Sequence, residues 1–250
     1  MEEHKDLGPS LIDSVGKPLI DEIGSDLSEV LLDSLLKDGL LKDIPIVGTI
    51  LGMSKAAIRL KDYLFIKKVL KFLTDLSSIS FEEKEGFLKK YEGTDEAGRL
   101  GETLILYLDR HENLKKPEFL AKIFKAYIRN RLTNTQFHFL ATAIDRAITQ
   151  DIETFVMLFQ QEYDLQKHGD YYQLNKLKLQ KQNIAKNLYS AGLANIDLEI
   201  ERGKSLGQAL SNMGISEWSG EPANIKQLQV SFVLKPEAEL LAKAILDLWE

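Results

Sequence analysis

Apolar residues recur at three- and four-residue spacing along most of the chain, the signature of helices that bury one face. The first such stretch starts at Ser25, where Leu27, Val30, Leu31, Leu35 and Leu36 share a face and Asp26, Glu29 and Asp33 take the other, until Gly39 ends it. Ile44 stands before Pro45, which pushes it out of helical geometry and opens a new unit. The run over residues 44–53 (IPIVGTILGM) carries no charge, and Ser54 is placed to cap the helix that follows. From Lys61 that helix divides cleanly. Phe65, Ile66, Val69, Leu70, Phe72 and Leu73 lie on one side, and Lys61, Lys67, Lys68 and Lys71 on the other, with Leu64 among the lysines. A helix continuous from Ser54 would turn Lys55, Arg59 and Asp62 toward the apolar side, which requires either a local ion-pair cluster or a bend near residue 60.

The pattern continues as a helical bundle. Ser80 answered by Glu83 has the form of a capping box, starting a short helix that stops before Gly93. Residues 100–110 and 117–131 form a helical hairpin around a turn at 111–116, with Pro117 in a first helical turn where its missing N–H has no partner to lose. Thr133 or Asn134 caps one long helix to about Tyr163, with Phe137, Leu140, Ile144, Ile148, Ile152, Phe155 and Phe159 as its stripe. A helix over 171–191 follows. At residues 195–201 the period changes to two, with Ile196, Leu198 and Ile200 against Asp197 and Glu199, as in a half-buried strand. Residues 206–213 allow a short helix, residues 227–234 read as a second strand, and Pro236 opens a closing helix to Trp249. The fold class expected is mainly α: an acidic arm over 1–24, loose apart from one short helix near Ser10 to Val15, a helical bundle over 25–163, and a small α+β region over 164–250.

The 250 residues suffice for one large domain or two modest ones. A net charge of -6 disfavours a dedicated nucleic-acid binder, and the lack of cysteine excludes disulfides, thiol nucleophiles and thiolate metal sites. The start MEEHKD has neither the basic nor the apolar part of a signal peptide, and no run of eighteen apolar residues is present. These features lead to the expectation of a cytoplasmic chain, peripheral at the inner membrane if it meets a membrane at all.

The end of the chain resembles a winged-helix domain. A helix closing on Tyr189, Ser190, Ala191, Gly192 and Leu193 is followed by a strand, a connection, a strand, and a helix opened at Lys235, Pro236 and Glu237; the phrase VSFVLKPEAELL over 230–241 looks like the one that follows the wing in many bacterial winged-helix proteins. The resemblance covers roughly residues 165–250 and implies a nucleic-acid or regulatory role. Two departures stand against it. The connection between the strands is far longer than a usual wing, and Asp197, Glu199 and Glu201 would face phosphates poorly. Lys176, Lys178 and Lys186 are the residues through which the preceding helix would touch nucleic acid, but with Lys181 they scatter around the axis, and Lys181 falls near the apolar face of Leu177, Ile184 and Leu188. The wider sequence also resembles a loose group of uncharacterised helical bacterial proteins, some near mobile-element or phage-defence genes, which implies no established activity.

Chemical motifs are not evident. His4, His111, His138 and His168 are too scattered for a metal pair, and His111 followed by Glu112 lacks the second histidine of a zinc helix. Gly203, Lys204 and Ser205 suggest a phosphate loop, but Leu198 stands where its first glycine belongs. Gly98 and Gly101 read as close helix packing or a cap. Glu102, Asp109 and Glu112 beside Arg110 are the remaining acid–base candidates, and charges at the edge of a hairpin are usually solvated. No catalytic residue, metal site or cofactor is therefore assigned. The stretch 44–73 has two readings. In one it is a glycine-relieved turn feeding a core helix whose lysines face water. In the other Ile44, Ile46, Val47, Ile50, Leu51, Phe65 and Phe72 enter a membrane or a partner, and Lys61, Lys67, Lys68 and Lys71 meet anionic headgroups. The function expected is that of a non-enzymatic interaction or effector protein with a protein partner, peripheral membrane contact, and a nucleic-acid adaptor as the alternative.

Overall fold

A computed structural model describes residues 7–17, 34, 39–53, 60–92, 94–110, 114–168, 171–201 and 227–249. The described chain is mainly helical, with one two-stranded sheet. It divides into two compact units: Met1–Asp145 with Lys243–Glu250, and Arg146–Ala242.

In the first unit, α1 (Leu7–Val15) buries Leu7, Leu11, Ile12 and Val15, which fall at helical spacing. The short helix expected near Ser10 to Val15 is formed, and it begins three residues earlier, at Leu7. A 3-10 turn (Leu40–Asp43) leads into α2 (Pro45–Met53), followed by α3 (Leu60–Asp75). Next come α4 (Phe81–Tyr91), α5 (Asp95–Arg110), α6 (Lys115–Ile128) and α7 (Asn134–Arg146). Both halves of the Ser80–Glu83 capping box are formed. Thr133 builds another with Gln136, its Oγ1 accepting the Gln136 N–H at 3.2 Å and its own N–H donating to Oε1 at 2.9 Å. The core gathers around Phe124, whose ring lies 5.5 Å from Phe72, 5.5 Å from Phe87 and 5.6 Å from Phe137.

The second unit holds α8 (Thr149–His168), α9 (Tyr171–Leu188), β1 (Ala194–Glu201), β2 (Gln227–Leu234) and most of α10 (Pro236–Leu246). The strands pair antiparallel, Ala194 opposite Leu234 and Glu201 opposite Gln227. Helix α9 packs on α8 and on β2.

One expected helix is two. The stripe from Phe137 to Phe159 is interrupted between α7 and α8, and Ile148, placed on the stripe, is 68% exposed. Apolar spacing is the same for one helix as for two that follow each other in sequence. The charges make the difference: Arg146 lies in the last turn of α7 and Asp151 in the first turn of α8, each at the end its sign favours. The helix expected from Ser25, the bend near Lys55 and Arg59, and the short helix at 206–213 lie outside the described residues.

Candidate functional site

The uncharged run becomes α2, and its apolar residues are core. Ile44, Ile46 and Val47 are fully buried and Ile50 nearly so, while Leu51 is half-buried. Gly48 permits the entry turn, since a methyl group there would sit 2.6 Å from the Lys42 carbonyl oxygen. The first turn of α2 takes its cap from α1. The Ser14 hydroxyl accepts the Ile46 N–H at 3.0 Å and donates to the Ser10 carbonyl at 2.7 Å. This is the work of an N-cap, supplied from 32 residues away. Beside it the Ser10 and Thr49 hydroxyls share a hydrogen bond of 3.0 Å.

On its other face α1 meets α5 through glycines. A methyl group on Gly101 would lie 2.0 Å from the Gly8 carbonyl oxygen, and one on Gly8 would lie 2.5 Å from the Gly98 oxygen. Gly101 is therefore a close-packing residue, as one of its two readings had it, whereas a methyl group on Gly98 would make only ordinary contacts with Pro9 at 3.7–3.8 Å.

Helix α3 departs from the expected division. Ile66, Val69, Leu70, Phe72 and Leu73 are buried and Phe65 is half-buried. The lysines, however, do not form one solvated face. Lys61 remains exposed, 3.9 Å from Asp109, and Lys67 is half-buried. Lys68 is buried, donating to the Asp109 carbonyl at 2.9 Å with its ammonium 5.9 Å from the Phe65 ring centre. The last-turn carbonyls of α5 have no partner within their helix, and a cation there also meets the negative end of the dipole. Burial lowers the Lys68 pKa; Asp109 opposes that shift and Lys61 adds to it. Lys71 pairs with Asp75 at 2.7 Å, and the other carboxylate oxygen of Asp75 is buried without a hydrogen-bond partner. Burial raises the Asp75 pKa, with Lys71 opposing. A wheel alone marks these lysines as equivalent because it has no knowledge of the neighbouring helix end.

The remaining chemical candidates disperse. Asp109 faces Lys61, Arg110 pairs with Asp145 at 3.3 Å, Glu102 is exposed, and Glu112 lies outside the described residues. Burial lowers the pKa of half-buried His138, while His4, His111 and the side chain of His168 lie outside the described residues. Among the described residues no group of three or more His, Cys, Asp or Glu is placed to hold a metal ion, and no helix is long and apolar enough to cross a membrane.

A groove of about 570 Å³ that the sequence did not announce opens in the first unit, with Phe87, Lys90, Arg129, Arg131 and Trp249 in its wall. Asn130 and Asp247, both left-handed with φ of 56°, also line it. Each follows a helix, where Asn and Asp adopt this conformation most readily among residues with side chains. Arg129 is held there by Glu83 at 2.9 Å and by Asp247 at 3.5 Å, and Asp247 also takes Lys125 at 2.7 Å. Acid and base neutralise each other in this groove, so it offers hydrogen bonds rather than a field.

In the second unit Lys181, expected beside the apolar face of α9, is neutralised by Glu162 of α8. Lys186 is exposed. Lys176 and Lys178 lie on α9, and their side chains fall outside the described residues. Tyr189 is 47% exposed and packs edge-on against Phe232 at 5.7 Å; Phe232 stands opposite Ile196, itself 44% exposed. Comparison with family models, with curated proteins and with solved structures finds no match.

Proposed function

We propose that this protein is a non-catalytic interaction or effector protein that associates with anionic membranes through residues 44–73 when that stretch opens. The observation that carries this reading is α2: nine residues without one charged side chain, the Ile46–Val47–Ile50 set buried, and Lys61 exposed at the start of the next helix. Apolar area supplies insertion and the lysine supplies attraction to headgroups. Because the apolar residues are core in the closed form, contact requires unpacking. Flotation with vesicles of phosphatidylcholine and phosphatidylglycerol tests the reading. The intact chain is expected to bind weakly and a chain lacking residues 1–43 strongly, with salt reducing both; no binding by either overturns it.

A second reading is favoured by the order of α9, β1, β2 and α10, a helix packed on an antiparallel hairpin and closed by a helix. It is the order of a winged-helix region, and it supports a nucleic-acid or regulatory adaptor with Lys176, Lys178 and Lys186 as contacts. Salt-dependent DNA binding abolished by Lys178→Glu with Lys186→Glu is its expected outcome; no DNA binding at low salt removes it.

A further inference from the structure

We propose that α1 is a strap over α2, and that its release presents α2 to one leaflet of an anionic bilayer. The inference rests on the membrane reading above and adds what regulates it. Among the described residues, helix α2 packs chiefly against α1 and the 3-10 turn, with a smaller contact to α3. Among them α1 is thus the main cover of the face that carries Ile46, Val47 and Ile50. The same helix supplies the cap: when Ser14 leaves, the Ile46 N–H loses its partner. Uncovering α2 and loosening its first turn are one event.

Three features make α1 suited to come and go. A nine-residue helix is too short to persist by itself in water, so undocked it is unfolded rather than a competing structure. Its seam with α5 is backbone against backbone at Gly8 and Gly101, and its seam with α2 is a pair of hydroxyl contacts at Ser10 and Ser14. The backbones at Gly8 and Gly101 are too close for α1 to slide along α5, and the buried Leu7, Leu11, Ile12 and Val15 leave together when it undocks. The element is docked or undocked, the two-state behaviour a switch needs.

Lipid is the occupant that fits what is uncovered. The exposed and half-buried positions of α2, Pro45, Gly48, Thr49, Leu51, Gly52 and Met53, are as uncharged as its buried ones, whereas a protein groove would ask for a polar rim. At about 1.5 Å per residue the helix is roughly 13 Å long, about half of a ~30 Å hydrocarbon core. That length enters one leaflet and stops.

The chain has no native cysteine, and the Ser10 and Thr49 hydroxyls are 3.0 Å apart. Ser10→Cys with Thr49→Cys thus gives a single bond that locks α1 to α2 on oxidation and frees it on reduction, its formation read by mass. Amide exchange over residues 45–53 and flotation with an equal mixture of phosphatidylcholine and phosphatidylglycerol are then measured on the full chain. Oxidation is expected to slow exchange about tenfold or more and to abolish flotation. Gly101→Ala, which drives a methyl group onto Gly8, is expected to raise both in the reduced form. Exchange that ignores the lock overturns the strap even if vesicles are bound, leaving the membrane reading to another route. Exchange that responds while no form floats overturns the lipid occupant and the membrane reading with it. If Gly101→Ala does not fold, oxidised against reduced protein decides alone.

Discussion

Around Phe124 the first unit is filled by rings, with Phe72, Phe87 and Phe137 each 5.5–5.6 Å from it and Tyr127 stacked on Phe137 at 5.1 Å. Around Gly8 and Gly101 the same unit brings two backbones together, with the Glu102 side chain beside Gly8, and its polar seam is a few hydroxyls. Both regions exclude water, by different means. The ring cluster draws on large apolar area and many small dispersion contacts, so it yields by degrees as rotamers adjust. The glycine seam depends on the approach of two backbones, neither of which has a rotamer to adjust. Burial of equal completeness can thus belong to a scaffold in one place and to a removable part in another.

Three measurements would break or sharpen this contrast. Phe124→Ala should have the largest effect, about 3–5 kcal/mol from lost transfer energy and the cavity left behind, seen as a lower denaturation midpoint for the first unit as a whole. Ser14→Ala comes next, at about 1–2 kcal/mol for a lost cap and an unpaired N–H. Its effect should be local: faster exchange at the Ile46 amide while the amides of α6 keep their protection. If the two variants slow or speed exchange at the same sites by the same factor, the regions are one cooperative element and the contrast fails.

The smallest effect is on acid stability. The backbone N–H of Ser80 holds Glu83 below the usual carboxylate range, helped by Arg129, and Lys125 does the same for Asp247. Groups of this kind stabilise the fold above the ordinary carboxylate range and lose that contribution as pH falls through their lowered folded values. Asp75 works in the opposite sense. Burial raises its pKa, so folding gains as pH falls from above that raised value to the ordinary one. Urea midpoints between neutral pH and pH ~3 should therefore fall more steeply for Asp75→Asn than for the wild type. Equal slopes would mean that Asp75 is hydrated in solution.

Much of this arrangement was legible in the sequence, and the gaps have physical causes. The Ser80–Glu83 capping box, the strand at β1, the start of α10 at Pro236 and the close packing at Gly101 follow from local rules, and the structure forms each of them, although Ile196, expected on the buried side of β1, is exposed. The break between α7 and α8 was hidden because Ile148 fits the stripe whether or not the helix continues. Lys68 was misplaced for a related reason: its position on α3 is decided by the carbonyl of Asp109, 41 residues away. The short helix near Ser10 to Val15 was legible too, but not its start at Leu7, where Gly8 and Pro9 read as a break although Pro9 falls in a first helical turn.

The chain leaves the first unit at Arg146 and returns to it at Lys243. Asp247, which receives Lys125 and borders Arg129, is therefore made long after the helices it joins. The first unit is therefore interrupted in sequence though closed in space, and the groove beside Arg129 has no Asp247 and no Trp249 until the very end of the chain has folded back.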